Sequence, residues 1–252
     1  MTTYTCDMDA YRCRSSAREE LPAPPGRRST TVNSPDGTKT VFIRDHNLWM
    51  RELNSGEETQ LTYDGVEDFG YATNNAGWTK SDRPVVLWSP ESDKIATFQH
   101  DGRGVGKMYL VTTGAGHPKL EAWKYPLPED SVIFRIHRVV IHLTENGPRL
   151  VRLRIPPDQH RSTITDHIAC GGSFCDVEWA PDGSRLALVS SSRDHKDATL
   201  RVADPETGEV RDVLHEQEDT FFESGYNQVS WRFLPRSDEV IWYSQRTDWG
   251  HL

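Results

Sequence analysis

From Ser34 onward, short apolar runs alternate with clusters of Gly, Asp, Asn and Pro at spacings of roughly eight to twelve residues, the pattern of an all-β chain made of many short strands. The runs that predict strands are Thr40–Arg44, Asn47–Leu53, Glu58–Thr62, Lys94–Phe98, Lys107–Val111, Arg185–Val189, Thr199–Ala203, Glu209–Leu214 and Glu239–Tyr243. Between them stand Asn54-Ser-Gly56 and Pro205-Glu-Thr-Gly208, where Gly supplies the positive φ that a tight hairpin demands.

The pattern repeats. Ser34-Pro-Asp-Gly37, Trp88-Ser-Pro-Glu91, Trp179-Ala-Pro-Asp-Gly183 and Trp231-Arg-Phe-Leu-Pro235 each precede an apolar strand. The unit reads as a turn, a buried strand, a second strand, a glycine hairpin and a third strand. Several strands per unit at this spacing point to a β-propeller, in which each small twisted sheet buries both faces against its neighbours. Trp49, Trp88, Trp179, Trp231 and Trp242 fall at strand positions and are expected in the core between blades. The wide interval between Pro90 and Pro181 holds two more strand candidates, Val132–Leu143 and Leu150–Ile155, room for one degenerate unit. The last unit stops at Trp249-Gly-His-Leu252. The expectation is therefore a partial propeller of about four to five blades of antiparallel strands, cut in the last blade. Residues 34–252 form this incomplete domain. Residues 1–33 read as a poorly ordered segment or the end of a preceding blade, because Leu21-Pro-Ala-Pro-Pro-Gly26 has linker composition.

Composition narrows the function. The chain has 252 residues, 29 Lys plus Arg and 38 Asp plus Glu, a formal charge of −9. A nucleic-acid binder would carry a basic stripe instead. No run approaches the ~20 apolar residues of a membrane helix, and Met1–Glu20 lacks the apolar core of a signal peptide. Of the four cysteines, Cys170 and Cys175 alone have zinc-like spacing, while Cys6 and Cys13 do not. Free thiols, or disulfides in an oxidising compartment, are the plainer readings. No metal or organic cofactor is implied.

Three motifs fail on inspection. Gly171-Gly-Ser-Phe-Cys175 nearly matches a nucleophile elbow, but ends in Cys and runs into a strand-like stretch instead of a helix. Gly102-Arg-Gly-Val-Gly-Lys107 departs from the phosphate-loop pattern at both ends and reads as a strand connection. His215-Glu-Gln-Glu lacks the second His of a zinc protease.

Leu61-Thr-Tyr-Asp-Gly65, the Trp88-Ser-Pro unit, His117-Pro-Lys-Leu and Tyr125-Pro-Leu-Pro128, with Trp179-Ala-Pro-Asp-Gly, Ser191-Ser-Arg-Asp-His195, Trp242-Tyr-Ser-Gln-Arg246 and Trp249-Gly-His-Leu, stand in order along the chain. Together they resemble the N-terminal β-propeller of dipeptidyl peptidase IV-like serine peptidases, in the prolyl oligopeptidase class, over residues 34–252. The resemblance implies a propeller that covers an α/β-hydrolase domain, admits peptides by size and lacks the Ser-Asp-His triad, which belongs to that second domain. It implies a peptide substrate, a C-terminal hydrolase partner and an exported or periplasmic setting.

Family dipeptidyl peptidases also hold the substrate's amino terminus with a Glu pair after an Asp-aromatic phrase, since two fixed carboxylates suit an ammonium. The matching phrase here is Glu67–Trp78. Asp68, Phe69 and Tyr71 fit it, but Ala72, Thr73 and Asn74 stand where the Glu pair would be. By this resemblance Asp68, Tyr71, Asn74 and Asn75 are the candidate substrate-binding residues, with the two asparagines as neutral acceptors. The resemblance does not carry over strict dipeptide release. Two rival readings stay open: a free-standing propeller that binds a protein or peptide, and an inactive remnant whose bare strand edges favour oligomers.

Overall fold

The computed structural model describes residues 30–74, 81–159, 174, 176–222, 230–234, 239–247 and 249–252, and the backbone alone of 2–7 and 12–17. Within these residues every regular element is a strand. β1 (Thr2–Asp7) and β2 (Arg12–Ala17) pair as an antiparallel hairpin inside the segment that composition marked as irregular.

The first blade is β3 (Val32–Asn33), β4 (Lys39–Arg44), β5 (Asn47–Glu52) and β6 (Glu58–Gln60), hydrogen-bonded in chain order. The second begins with β7 (Leu87–Trp88) and β8 (Lys94–Asp101). The chain then leaves it for a separate hairpin, β9 (Lys107–Thr112) and β10 (Lys119–Lys124). It returns as β11 (Arg135–Thr144), β12 (Gly147–Arg152) and β13 (Asp158–Gln159), giving the path β7-β8-β11-β12 with β13 also on β11. The third blade is β14 (Val177–Trp179), β15 (Leu186–Ser191), β16 (Asp197–Ala203) and β17 (Val210–Gln217). β18 (Trp231–Leu234) and β19 (Glu239–Trp242) pair as the start of a fourth.

Two expectations change here. The Lys107 run is a strand, but it is not the second strand of its blade. The candidates at 132–143 and 150–155 do not form a hidden unit. They supply β11 and β12 and complete the second blade. The described residues thus hold three blades and two strands of a fourth.

The turns explain the repeated Ser-Pro-Asp-Gly phrase. Ser34 Oγ donates to Asp36 Oδ1 at 2.6 Å, and Thr38 donates to the same oxygen from its backbone N and its Oγ1, each at 2.9 Å. These donors hold the Asp36 carboxyl far below the usual carboxylate range. Gly37 takes φ 70°, and the chain reverses into β4. Ser89 and Asp93 rebuild the motif before β8 (2.7 Å), with Ser92 at φ 59° in place of Gly. Asp182 and Ser184 (2.7 Å) do so before β15.

The core lies between blades. Val41, Leu48 and Met50 pack against Trp88, Ile95 and Ile141 across the first seam. Phe98, Ile136 and Val140 meet Trp179 and Leu188 across the second. Leu200 and Val189 meet Trp231 and Trp242 across the third. Trp88, Trp179, Trp231 and Trp242 are buried as expected. Trp49 is half-buried, with the Arg44 guanidinium 4.6 Å over its ring.

Polar contacts pin each seam. Asp36 N donates to Ser92 Oγ (3.2 Å), and Trp179 Nε1 donates to the Leu87 carbonyl (3.2 Å). Buried Arg138 on β11 donates through Nε to Asp158 Oδ2 (2.6 Å) and through Nη2 to the Val189 carbonyl (3.1 Å). Buried Glu216 accepts from Trp242 Nε1 (2.7 Å) and Gln245 N (2.6 Å).

Gly208 and Gly183 separate backbone strain from close packing. Both have positive φ, 75° and 67°. A Cβ at Gly208 would lie 2.3 Å from the Arg152 carbonyl oxygen, whereas at Gly183 the nearest atom is 3.9 Å away. Gly183→Ala is expected to cost about 1–2 kcal/mol, the left-handed penalty alone. Gly208→Ala is expected to cost about 3–5 kcal/mol, because overpacking adds to that penalty. Urea denaturation of both variants measures the difference.

Candidate functional site

The segment Asp64–Asn74 is positioned by a strained turn. Asp45 and His46 join β4 to β5 with φ of 49° and 66°, the geometry of a two-residue hairpin turn that normally selects Asn or Gly. This aims the His46 carbonyl at the segment, where it accepts from Tyr71 N at 2.8 Å. Gly65 is required at the crossing, since a Cβ there would lie 2.2 Å from the same carbonyl oxygen. Asn47 holds the crossing from below. Its Oδ1 accepts from Gly65 N (2.9 Å) and Thr62 Oγ1 (3.0 Å).

The chain then lies along the upper half of β8, the end at Asp101. Gly102 N donates to the Asp68 carbonyl, His100 N to that of Gly70 (each 2.8 Å), and Ala72 N to that of Phe98 (2.9 Å). β7 occupies only the lower half, with Leu87 opposite Ala96 and Trp88 opposite Ile95. The first-strand edge of this blade is therefore made of two pieces. In a propeller that edge lines the central channel. At the break Val85 N donates to the Ala72 carbonyl (2.8 Å). Positive φ at Asp68 (63°) and Ala72 (54°) marks the two bends.

The candidate side chains do not converge on one point. Asp68 is 41% exposed and pairs with Lys124 Nζ at 2.6 Å. It lines a cleft of about 610 Å³ between the first blade, this segment and the root of the β9–β10 hairpin. Glu67, Asp45 and Asp82 share the cleft with Lys107 and Lys124, and His100, Trp123 and Phe134 form its apolar wall. Tyr71 points into the seam instead and is only 1% exposed. Its hydroxyl donates to Asp64 Oδ1 (2.7 Å) and accepts from Arg152 Nη2 (3.1 Å), and the same nitrogen reaches Gln99 Oε1. Burial, then the bond to Asp64, pushes the phenol above its usual range, so it stays neutral. Tyr71 is a pin for the segment and not a surface contact. Asn74 is half-buried, two residues beyond Ala72. Asn75 lies outside the described residues, as do Cys170, Cys175 and all of the elbow-like phrase but Phe174, which is buried against Phe98.

Several residues here were not legible in the sequence. Lys107 and Lys124 come from the hairpin, tens of residues away. Arg103 lies 3.8 Å over the Phe69 ring and binds Asp101 through Nε (2.9 Å) and Nη2 (2.8 Å), which holds the Asp101 carboxyl below its usual range. His137 meets Phe69 edge-on at 5.7 Å. His100 stacks on Phe134 at 5.3 Å, and burial pushes its imidazole down to about 4. Among the described residues no group of His, Cys, Asp and Glu is placed to hold a metal ion, and no helix is long and apolar enough to cross a membrane.

The sequence model of the dipeptidyl peptidase IV (DPP IV) N-terminal region matches residues 2–252. The dipeptidyl-aminopeptidase B of Aspergillus fumigatus is 29% identical over 121 residues, 42% of this chain and 13% of that protein. That of Talaromyces stipitatus is 28% identical over 117 residues, 41% of this chain and 12% of that protein. Among solved structures, dipeptidyl peptidase 4 of Porphyromonas gingivalis superposes with a TM-score of 0.57 at 16% identity, over 76% of this chain and 26% of that one. A Bacteroides ovatus structure described as a dipeptidyl aminopeptidase IV gives 0.62 at 20% identity, over 88% and 28%. The chain thus spans about an eighth of the length of the curated relatives and about a quarter of that of the solved structures it matches.

The roles of Tyr71 and Asp68 differ measurably. Tyr71→Phe should cost about 1–2 kcal/mol in urea unfolding, because a buried network loses a donor. Asp68→Asn should cost less than about 1 kcal/mol, since its ion pair is partly solvated.

A depressed histidine also sets a sign. The unfolded chain takes up the His100 proton near pH ~6.5, while the folded protein resists until about 4. Stability is therefore lost as pH falls through that window. The His100→Gln variant should show a shallower slope there, by up to about 1.4 kcal/mol per pH unit, in unfolding curves recorded between these limits.

Proposed function

Because the chain belongs to the dipeptidyl peptidase IV N-terminal region family, we propose that it is the non-catalytic propeller portion of a serine peptidase. In this reading it gates and orients peptide substrates for an α/β-hydrolase domain elsewhere in the full protein. The observation that carries the reading is the split inner edge of the second blade. Segment 68–72 takes the upper half of that edge and β7 the lower half. A peptide in a propeller channel would run along this edge.

Asp68, Asn74 and Asn75 are the residues proposed to face the peptide. The Asp68 charge is already shared with Lys124, and the asparagines offer amide oxygens where a carboxylate pair would bind an ammonium more strongly. The expected substrate is a peptide held by several weak polar contacts, with less dependence on a free amino terminus than a paired-carboxylate site would impose. A second reading, a propeller that binds a protein without chemistry of its own, draws support from the β9–β10 hairpin. There Tyr109, Val111 and Leu120 are more than half exposed, and self-association through it would make an oligomer.

The test compares this chain with the full-length protein, using matched chromogenic peptides with free and acetylated amino termini. This chain alone should cleave none of them, and the full-length protein should cleave both kinds. Asp68→Ala combined with Asn74→Ala should raise KM about tenfold, a loss of about 1.4 kcal/mol of binding, with kcat nearly unchanged. Full-length protein without hydrolytic activity, or a double variant with unaltered KM, would sink the proposal.

A further inference from the structure

We propose, resting on the peptidase reading, that Arg152 is the positioning residue of the peptide-facing segment. It holds Asp68 in place from the opposite side of the blade and does not itself touch the peptide.

Arg152 ends β12, which is separated from β8 by β11. Its backbone is fixed from two directions. It pairs with Val139 on β11, and Gly208 of the third blade packs so close that a Cβ there would lie 2.3 Å from the Arg152 carbonyl oxygen. From this base the side chain reaches across the blade to three groups. Nη2 donates to the Tyr71 hydroxyl oxygen (3.1 Å) and to Gln99 Oε1, and pairs with Asp64 Oδ2 (3.3 Å).

These contacts bracket Asp68. Asp64 precedes it in the chain and Tyr71 follows it. Gln99 is fully buried and extends the hold, because its Nε2 donates to the Phe69 carbonyl (3.3 Å). One guanidinium nitrogen thus fixes the chain on both sides of Asp68, whose own carboxylate is engaged with Lys124 in the cleft. Positive φ at Asp68 and Ala72 makes the segment costly to hold, and such strain persists only where surrounding contacts over-determine it. Without Arg152, Gln99 Oε1 would be a buried acceptor with its donor removed, and the Asp64 charge would lose its cation. Arg154 is the contrast on the same stretch of chain. Its side chain is 66% exposed and pairs with Glu209 on the turn between β16 and β17 (3.4 Å).

The test assays Arg152→Met, Arg152→Lys and Arg154→Met in the full-length protein, on the chromogenic peptide with a free amino terminus. Arg152→Met should raise KM about tenfold with kcat nearly unchanged, the mark of lost ground-state binding. Arg152→Lys should recover part of this, to a KM about threefold above the parent, since an ammonium keeps the charge and donors on a shorter stem. Arg154→Met should match the parent in both constants. Asp64→Asn changes a side chain that is 61% exposed. It should raise KM about threefold through the lost charge-assisted contact, which keeps the test decisive if Arg152→Met fails to fold. Amide hydrogen exchange on this chain reads the hold without any activity. Protection at Tyr71 and Ala72 should fall about tenfold in Arg152→Met, with the third blade unchanged. An unaltered KM, a loss confined to kcat, or segment protection that survives the substitution would overturn the positioning role. A parent that hydrolyses no peptide would instead sink the peptidase reading, and the exchange measurement then decides by itself whether Arg152 holds the segment.

Discussion

Every blade in this chain is a thin sheet with two apolar faces, and neither face can be satisfied from within its own sheet. β8 shows the constraint directly, because its six central residues are all buried, although only alternate ones can share a neighbour. Ile95 turns to the first blade, and Ala96 and Phe98 turn to the third. The stack of blades follows from this requirement. So does the placement of tryptophans at blade entries, where one large ring bridges two sheets.

Apolar burial alone would let the blades slide or splay. The seams are fixed by a few directional contacts between groups that could not otherwise be buried. Arg138 with the Val189 carbonyl, Glu216 with Trp242, and Tyr71 with Asp64 and Arg152 each tie one blade to the next element. Such pairs contribute to specificity of arrangement as much as to stability, since an unpaired buried partner is costly.

The candidate site is a by-product of this packing. The second blade builds its first-strand edge from two short pieces, segment 68–72 and β7. The strain that marks the place, positive φ at Asp45, His46, Asp68 and Ala72, is held by the His46 carbonyl and by glycines that leave it room. Strain of this kind persists only where surrounding contacts over-determine it.

The strands, the turn chemistry and the propeller class were legible in the sequence, because each rests on local causes. Alternation sets strands, Ser and Asp hold the turns, and recurrent Trp marks the seams. The ordered phrases carried the family resemblance for the same reason. What only the tertiary structure decided was non-local. Lys107–Val111 reads as a blade strand in sequence, yet it pairs with β10 outside the blade, because any alternating run satisfies that pattern and pairing partners are chosen in space. Asp68 and Tyr71 are three positions apart and read as one motif, yet one faces a cleft and the other a buried seam. Positive φ at Asp68 and Ala72 bends the segment, and Tyr71 N is held by the His46 carbonyl, more than twenty residues away. Spacing along a chain fixes which side chains can be neighbours on a regular strand. It does not fix them where the backbone is bent by contacts that the rest of the fold supplies.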